Sequence, residues 1–423
     1  MEGRVRPETL TAWAIGAGIL LGTYDTAALA VALPRLGPLW HIGPGGMGLV
    51  GSAAVVGMLV GSLAAGPAAD HLGRRRILLT DFVLYGMAGL ATALSMNLAT
   101  LVASRLFVGL ALGADYAVAF PYLAEVSGPR GRGRVMATVL WAANFGMLAA
   151  YAMGALTASW QGGWRIPFVI GLLLVVPVLW FRRRVPESSP WQAARRAPGG
   201  SRTGLKGSGL VWRTVLSSSG AWFCYQVSDQ GLSLFLPLML VTLLGTSIAG
   251  AAWHAVLIKA VTIPAAALTV ATIERWGRRP LQVWGFWLRG LALVGLTGEI
   301  GVWGLARVDR GWAGGLLWTL LIVLFAAGAW GPDKTTVITA AERSPTSVRA
   351  TGQGIAEAAG RLGGLVGIAG YSALVPLGGM AAGLAFFAVL TMLGAVISQF
   401  TLPETARSAA DARPALVSPG DRW

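Results

Sequence analysis

The chain has very few of the residues that build disulfides and metal centres. Its 423 residues contain one cysteine, Cys224, and three histidines that lie far apart in the sequence, His41, His71 and His254. One cysteine excludes an internal disulfide and a cysteine-based metal cluster, and the histidines share no metal-ligand spacing. We therefore predict no metal site and no cofactor.

Charged residues are also scarce. They make up 12% of the chain, whereas hydrophobic residues make up 55%. A soluble protein of this size and composition would be covered in apolar surface, so much of the exterior must face lipid. A helix needs roughly 20 apolar residues to cross the hydrocarbon core of a bilayer, and the chain offers about twelve such stretches. The sequence therefore predicts an all-α membrane protein with twelve transmembrane helices.

The excess of basic residues does not indicate a nucleic-acid partner. The formal net charge is +15, but lysine and arginine concentrate in alternate loops: 24 of the 33 fall on one side of the predicted topology and four on the other. Basic loops mark the cytoplasmic side of a membrane protein. We therefore expect a multi-pass protein of a prokaryotic cell membrane with both termini in the cytoplasm. Its expected surroundings are lipid, without nucleic acid, and we expect a monomer.

A hydrophilic segment divides the chain in the middle. Residues 183–213 are rich in Arg, Pro, Gly and Ser and lack hydrophobic periodicity, as is typical of a cytoplasmic linker. The segment separates six predicted helices from six. We expect a first six-helix bundle at 1–182, a second six-helix bundle at 214–404 and a cytoplasmic tail at 405–423.

A short charged motif occurs once in each half. Asp70-His-Leu-Gly73-Arg74-Arg75 follows the second predicted helix, and Glu274-Arg-Trp-Gly277-Arg278-Arg279 follows the eighth, with each matched position 204 residues later. Duplication of a six-helix unit explains this spacing and predicts two pseudo-symmetric bundles. The acid, the glycine turn and the arginines can form a charge relay that ties neighbouring helices together in one conformation. Arginines that only mark the cytoplasmic side would explain one such loop. The same order of acid, glycine and two arginines in both halves favours the charge relay.

The first of these loops, Gly66-Pro-Ala-Ala-Asp70-His-Leu-Gly73-Arg74-Arg75-Arg76, resembles the loop signature of the major facilitator superfamily. The resemblance spans nearly the whole chain and implies the major facilitator fold, in which two six-helix bundles rock about a central site. Further motifs resemble the sugar-porter branch and the proton-coupled phosphate symporters. They are Gly22-Thr-Tyr24-Asp25-Thr, Arg105-x3-Gly109-x3-Gly113, Pro186-Glu187-Ser-Ser-Pro and Pro403-Glu404-Thr.

Two segments are more similar to the phosphate symporters than to the sugar carriers. They are Gly113-Ala-Asp115-Tyr116 in the fourth helix and the stretch from Gly331 to Gly352. The chain departs from those symporters at three positions: Gln226 and Gln230 replace an aspartate and a tyrosine, and Arg361 replaces a lysine. Because of these departures, the resemblance does not identify the substrate.

The charge relay and the resemblance point to residues that gate a conformational change. Each would tie helices together at one end of the bundles. We assign this role to the two repeated loops and to charged residues near them: Asp70, Gly73, Arg74, Arg75, Glu125, Arg130, Glu274, Gly277, Arg278, Glu342 and Arg349.

Ionisable side chains in predicted membrane helices are candidates for function, because each costs several kcal/mol at bilayer depth unless it faces a cavity or a partner. Asp25 lies in the middle of the first helix, and the resemblance to sugar porters pairs it with Arg105. A buried carboxylate can release a proton when an arginine approaches it. We predict that Asp25, Arg105 and Asp115 couple transport to protons. A permanent ion pair at Asp25 and a structural role for Asp115 are the alternatives.

Polar residues follow one face of the seventh predicted helix. Trp222, Gln226, Asp229 and Gln230 occur at positions i, i+4, i+7 and i+8. Such a stripe is too polar to face lipid. It suits either the wall of a cavity or hydrogen bonds between helices.

Four cations in predicted helices 8 to 11 would suit an anionic substrate. They are Lys259, Arg289, Lys334 and Arg361. Three acids of the same region could neutralise most of them: Asp229, Asp333 and Glu357, the last at helical ion-pair spacing from Arg361. The predicted substrate-binding residues are Tyr116, Asn144, Trp222, Gln226, Asp229, Gln230, Asp333, Lys334 and Arg361.

These features predict a secondary active transporter, a proton-coupled symporter that moves a small anionic solute such as phosphate or an organic acid by alternating access. A proton-coupled transporter of a neutral sugar or polyol is the first alternative. A transporter-like sensor that binds solute without moving it is the second. An intramembrane enzyme is not supported, because no pair of nucleophile and base, metal triad or pair of catalytic carboxylates can be identified.

Overall fold

The computed structural model describes residues 7–127, 131–157, 160, 162–196, 209–303 and 311–402. These residues are almost entirely helical, and no β-strand occurs among them. The prediction of an all-α membrane protein is confirmed.

Six helices form the first bundle. They are α1 (Pro7–Leu39), α2 (Pro44–Leu72), α3 (Arg74–Ala93), α4 (Leu98–Val126), α5 (Arg132–Leu156) and α6 (Ile166–Arg182). Helix α4 begins with a capping box, in which the Asn97 side chain accepts a hydrogen bond from the Thr100 backbone N at 2.9 Å. The cap satisfies a backbone donor that the first turn of a helix leaves unpaired.

The second bundle follows a short linker helix, α7 (Ser189–Arg196). Its helices are α8 (Gly209–Leu244), α9 (Ile248–Ala260), α10 (Thr262–Trp276), α11 (Arg278–Trp303), α12 (Gly311–Trp330), α13 (Pro332–Arg343) and α14 (Arg349–Thr401).

The described helices account for twelve crossings. Ten helical segments are long and apolar enough to cross a membrane, and the last of them, Thr346–Thr401, contains two crossings. Helix α14 turns back at Gly378 and Gly379, where Gly379 has a φ of 68°, a backbone conformation that glycine adopts readily. Helix α11 supplies the remaining crossing. Two six-helix bundles result, as predicted.

Two crossings that the sequence predicts as single helices are broken in the structure. The eighth crossing consists of α9 and α10, which separate at Val261, three residues before Pro264. The tenth consists of α12 and α13, which separate at Gly331, immediately before Pro332. Proline removes a backbone donor and prevents a continuous helix, which explains why both breaks occur at these positions.

The linker is more ordered than its composition predicts. Residues 189–196 form α7, and α8 already begins at Gly209, inside the segment predicted as linker. Helix α7 is held by Trp191, which is buried and donates a hydrogen bond from Nε1 to the Asp70 carbonyl at 2.9 Å. Eight residues with one buried aromatic anchor are too few to produce a hydrophobic periodicity in the sequence, so the sequence analysis did not identify this helix.

Glycines permit the closest helix contacts in each bundle. A Cβ atom at Gly57 or Gly61 of α2 would overlap the carbonyl oxygens of Leu106 and Leu110 in α4. In the second bundle, a Cβ at Gly367 of α14 would overlap the Val227 carbonyl of α8 in the same way. Small residues four apart let helix backbones approach closely in membranes. These glycines are therefore contact points between helices.

Candidate functional site

A cavity of about 180 Å³ lies where the two bundles meet. Helices α1, α2, α4 and α5 of the first bundle line one side, and α8 through α14 of the second bundle line the other. Both helix breaks contribute, because Lys259 and Thr262 flank the break at Val261 and Asp333 follows the break at Gly331. A polar chamber between two bundles is the arrangement in which a solute can contact both at once.

Eight of the nine predicted substrate-binding residues line this cavity. They are Tyr116, Asn144, Trp222, Gln226, Asp229, Gln230, Asp333 and Arg361. The ninth, Lys334, lies behind the wall, where it is buried and forms an ion pair with Asp333. The structure thus brings the polar stripe of α8 to the cavity, and the binding roles of these residues stay predictions.

Arg361 connects the two bundles across the cavity. Its Nη2 lies 3.6 Å from Oε2 of Glu357, and its guanidinium lies over the ring of Tyr116 in the first bundle, 5.1 Å from the centroid. Glu357 also accepts hydrogen bonds from Trp222 Nε1 at 3.3 Å and from Gln353 Nε2 at 3.1 Å. The ion pair with Glu357 that the sequence spacing suggests is therefore present.

A second cluster in the same wall adds two residues, Arg289 and Tyr225, that were not included in the predicted binding set. Arg289 donates from Nη2 to Asp229 at 3.2 Å and lies over the ring of Tyr225, 4.9 Å from its centroid. Tyr225 in turn stacks on Trp222, with centroids 5.5 Å apart, and donates its hydroxyl to Asp229 at 3.1 Å. Tyr225 is three residues after Trp222, so the helical stripe of α8 contained the signal that could have identified it.

Lys259 also faces the cavity. Its Nζ donates to the Ser233 hydroxyl at 3.0 Å and lies 4.1 Å from the centroid of the Phe325 ring. The sequence marks Lys259 as a cation in a membrane helix, but it does not show that the break at Val261 places this residue in the cavity wall.

The predicted proton-coupling residues occupy two separate places. Arg105 lines the cavity and forms a buried ion pair with Asp25, with Nη1 donating to Oδ1 at 3.1 Å. Asp115 does not reach the cavity, because its carboxylate contacts Arg182 of α6, with Nη1 to Oδ1 at 2.7 Å. Tyr116, the next residue, faces the cavity instead. The coupling roles of Asp25, Arg105 and Asp115 stay predictions.

The two repeated loops lie at one end of the bundles, which we call the basic end and define by residues 70–75 and 274–279. In the first loop, the buried Arg74 contacts Asp70 and Glu125, both at 3.0 Å, and donates to the carbonyl of Thr346 at 2.9 Å. Asp70 accepts hydrogen bonds from N of Thr351 at 2.8 Å and from its hydroxyl at 2.6 Å. This network therefore joins the first bundle to the segment that begins α14.

The second loop forms a matching network. Arg278 contacts Glu274 and Glu342, each at 2.9 Å. Glu274 accepts a hydrogen bond from the Arg134 backbone N at 3.1 Å, and Arg132 lies 3.5 Å from Glu342, so this network also joins the bundles. Arg349 adds a further link, with Nη1 3.5 Å from Glu125.

Both loops turn through a glycine with positive φ. Gly73 has a φ of 104° and Gly277 a φ of 88°. Side chains rarely adopt this backbone conformation, which explains the glycine in each copy of the motif. Arg75 lies beside this turn, where its backbone N donates to Glu187 at 3.2 Å. Arg130, the remaining predicted gating residue, lies outside the described residues, and the gating roles stay predictions.

Two six-helix bundles around a cavity that contains charged and polar side chains, with charge networks that join the bundles at one end, are the arrangement of a membrane transporter. The profile of the Major Facilitator Superfamily matches residues 15–297, and that of the sugar (and other) transporter family matches residues 199–412. The chain belongs to the Major Facilitator Superfamily.

Named relatives cover most of the chain. The niacin transporter NiaP of Acinetobacter baylyi is 28% identical over 389 residues, with 84% of each chain covered. The probable inorganic phosphate transporter 1-6 of Arabidopsis thaliana is 24% identical over 471 residues, covering 92% of this chain and 90% of the relative. The structure of the proton:xylose symporter XylE bound to 6-bromo-6-deoxy-D-glucose superposes with a TM-score of 0.81 at 21% identity, covering 94% of this chain and 96% of that one. The structural likeness shows the fold.

The networks at the basic end predict how that end opens. Glu125 contacts Arg74 and, across the bundles, Arg349, so Glu125→Gln should weaken the closed state. Loss of a charge-assisted interaction of about 1.5–3 kcal/mol should raise the open population by about one to two powers of ten. The measurement is the rate at which a thiol reagent labels a cysteine replacing Val337, a cavity residue, in purified protein that lacks Cys224.

Glu187 provides the matched control for this prediction. It accepts hydrogen bonds from the backbone N of Arg74, Arg75 and Ser188, all within the first bundle and the linker. Glu187→Gln removes the same charge from the same end without removing a contact between bundles, so labelling should keep its original rate. Equal labelling rates in the two variants would contradict a gating role for Glu125.

Proposed function

We propose that the protein is a proton-coupled symporter that moves a small anion, such as an organic carboxylate or phosphate, through the central cavity by alternating access. The substrate class rests on one observation. Among the described residues, Lys259 has no carboxylate within ion-pair distance. Its ammonium contacts Ser233 and Phe325 in the cavity wall, Asp229 and Asp333 act on it only at longer range, and the residue is 4% exposed. A buried ammonium without a paired carboxylate is costly, and a bound anion would offset that cost.

The other charges in and behind the described cavity wall support an anionic substrate. Four cations have a carboxylate partner, and Lys259 is a fifth. Five cations against four carboxylates leave one positive charge. The four pairs are Arg105 with Asp25, Arg289 with Asp229, Lys334 with Asp333 and Arg361 with Glu357.

The relatives and the aromatic residues suggest which anions to test first. Niacin carries a carboxylate on an aromatic ring, and phosphate is an anion at neutral pH, so both relatives carry names of anionic substrates. Trp222 and Tyr225 stack within 8° of parallel beside Asp229 and offer a flat apolar face at the cavity. Such a face suits an aromatic ring, while Lys259 suits its carboxylate. Niacin is therefore the first probe and inorganic phosphate the second.

Proton coupling would act through Asp25 and Arg105. In the present conformation the two are paired, and of the two only Arg105 borders the cavity. Protonation of Asp25 would release the guanidinium and add a positive charge to the cavity wall, which would favour an anion. By linkage, an anion engaged by Arg105 would favour proton uptake at Asp25 to the same extent. Proton and substrate would then bind together.

Alternating access would require the charge networks at the basic end to break and re-form. They hold that end closed in this conformation, so opening would require a state that these contacts disfavour by a few kcal/mol. A proton on Asp25 and a bound monoanion together add no net charge, so the loaded cavity carries the same single positive charge as the empty one, whereas either alone would change it. This constant net charge is the physical basis for moving proton and anion together.

A neutral sugar or polyol is the second candidate substrate. Asn144, Gln226 and Gln230 line the cavity, and their amides can donate to and accept from hydroxyl groups. The match of residues 199–412 to the sugar (and other) transporter family is compatible with this reading. A solute sensor would bind the same ligands, but it would not exchange internal for external solute across a membrane.

We place the basic end in the cytoplasm because basic loops mark that side. In protein lacking Cys224, Leu72→Cys and Met96→Cys replace exposed apolar residues that precede and follow α3, at opposite ends of this helix. An impermeant thiol reagent should label Met96→Cys in intact cells and Leu72→Cys only after the membrane is opened. The reverse pattern would invert the assigned orientation.

Asp25→Asn is predicted to uncouple transport from protons. The amide imitates the protonated acid permanently, so accumulation driven by a pH gradient should be lost while counterflow of substrate, which needs no net proton movement, continues. Asp25→Glu keeps a titratable group and should retain some accumulation. The measurement is niacin or phosphate uptake in proteoliposomes, and full accumulation by Asp25→Asn would exclude Asp25 as the coupling group.

Lys259→Gln is predicted to lower the affinity for the anion by about one to two powers of ten. The change removes one charge-assisted interaction of roughly 1.5–3 kcal/mol. Lys259→Arg retains the charge and should lose less affinity, although the longer, planar group cannot reproduce the geometry. Dissociation constants for niacin and phosphate, measured on purified protein, test this.

The same binding assay separates the two substrate classes. If the substrate is a neutral sugar, Gln226→Ala should weaken binding more than Lys259→Gln, because amides would then make the recognition contacts. Wild-type affinity for anions in Lys259→Gln would remove this lysine from the binding site.

A further inference from the structure

A second group of buried charges lies in the first bundle, away from the cavity. It consists of Asp81 on α3, Asp115 on α4 and Arg182 at the end of α6. Their side chains are 2%, 1% and 1% exposed, respectively. Arg182 contacts Asp115 at 2.7 and 3.0 Å, whereas the shortest distance from Arg182 to Asp81 is 3.6 Å. Two carboxylates thus share one guanidinium.

Asp81 is the member without a hydrogen bond to Arg182. Both of its carboxyl oxygens are buried, and their only hydrogen-bonding interaction among the described residues is a weak one with the backbone N of Phe82. The charged groups that face it are Asp115 from α4 and Arg182 from α6. Asp70, at the end of α2, contacts Arg74 and Thr351. On its own helix, Tyr85 donates its hydroxyl to the Leu21 carbonyl.

Contacts with α1 and α3 fix the position of Arg182, which is closer to Asp115 than to Asp81. Arg182 donates from Nη1 to the Leu78 carbonyl at 3.1 Å and from Nε to the Ala14 carbonyl at 3.5 Å, and it lies 4.3 Å from the centroid of the Phe82 ring. A Cβ at Gly18 of α1 would overlap the guanidinium, so α1 leaves room for it only because this residue is glycine. The arginine therefore cannot serve both acids equally.

Charge balance then assigns the protonation state. If both acids were ionised, the cluster would carry one uncompensated negative charge in a buried site, which costs several kcal/mol. Two carboxylates that share a site avoid this cost when one of them keeps its proton. Asp115 has the close guanidinium contacts, so Asp81 is the acid that stays neutral.

We infer that Asp81 carries a proton in this conformation, and that Asp81, Asp115 and Arg182 form a second proton-binding site of the transport cycle. It lies between the cavity and the basic end, because Tyr116, the residue after Asp115, lines the cavity, and Arg182 ends α6 near the linker. The pair of Asp25 and Arg105 at the cavity would receive the proton. The cluster of Asp81, Asp115 and Arg182 would bind a proton nearer the basic end. The role in transport rests on the proposed proton-coupled function, whereas the protonation of Asp81 does not.

Infrared spectroscopy of the purified full-length protein at neutral pH tests the protonation directly. A protonated carboxylic acid has a carbonyl-stretching band that a carboxylate lacks, and Asp81→Asn should lose one component of it. Asp25→Asn, the matched control, removes an ion-paired carboxylate and should keep the wild-type band. An undiminished band in Asp81→Asn would overturn the inference.

A second variant keeps the test independent of how well Asp81→Asn folds. In Asp115→Asn, Asp81 becomes the sole carboxylate beside Arg182 and should ionise, so the same component should disappear. The double variant leaves Arg182 without a carboxylate and should unfold at a lower temperature than either single variant. A double variant as stable as the single variants would contradict the shared site.

Transport in proteoliposomes tests the coupling role. Asp81→Asn should continue counterflow of niacin or phosphate and should accumulate less of it under a pH gradient than the wild type. Full accumulation by Asp81→Asn would overturn the coupling role of this cluster. If the wild type itself does not respond to a pH gradient, the proposed function fails, while the infrared band still decides whether Asp81 is protonated.

Discussion

A charge that leaves water for the interior of a membrane protein loses several kcal/mol of solvation unless another group compensates it. Four arginines of this chain, Arg74, Arg105, Arg182 and Arg289, are fully buried, and each contacts a carboxylate from another helix. These contacts determine which helix faces meet. They also concentrate the buried charge in three places: the networks at the basic end, the cluster of Asp81, Asp115 and Arg182, and the cavity wall. At these places the protein could change its charge state.

In the proposed cycle, the pairs that stabilise this conformation are the parts that would change during transport. The pair of Asp25 and Arg105 would break on protonation, the pairs at the basic end would break on opening, and a bound anion would balance one of the positive charges at Lys259 and Arg105. The proton and a monoanion together would leave the net charge of the cavity unchanged. Proton, anion and conformation are linked in this account because only certain combinations satisfy the charges.

Features that depend on the spacing of residues along the sequence were predictable. Features that depend on which distant residue a side chain contacts were not. The twelve crossings follow from apolar length, and the contacts at Gly57 and Gly61 follow from their four-residue spacing. Asp115 was predicted to couple transport to protons, but its carboxylate contacts Arg182, which lies 67 residues away, and does not reach the cavity. Lys334 rather than Lys259 was assigned to substrate because no local pattern shows how the break at Val261 turns the helix. A tertiary contact determines the position of the Asp115 side chain, and a helix break determines that of Lys259. Neither can be inferred from local sequence.

The central claim is that a small anion and a proton cross the membrane together through one cavity. Proteoliposomes that enclose a pH-sensitive dye measure this directly when niacin or inorganic phosphate is added outside, with protein-free liposomes as the control for passive entry. The account predicts that at least one of the two anions acidifies the lumen in the presence of the protein and that xylose does not. Uptake of either anion with no more acidification than in protein-free liposomes would contradict the account. So would acidification when xylose is added but not when either anion is added.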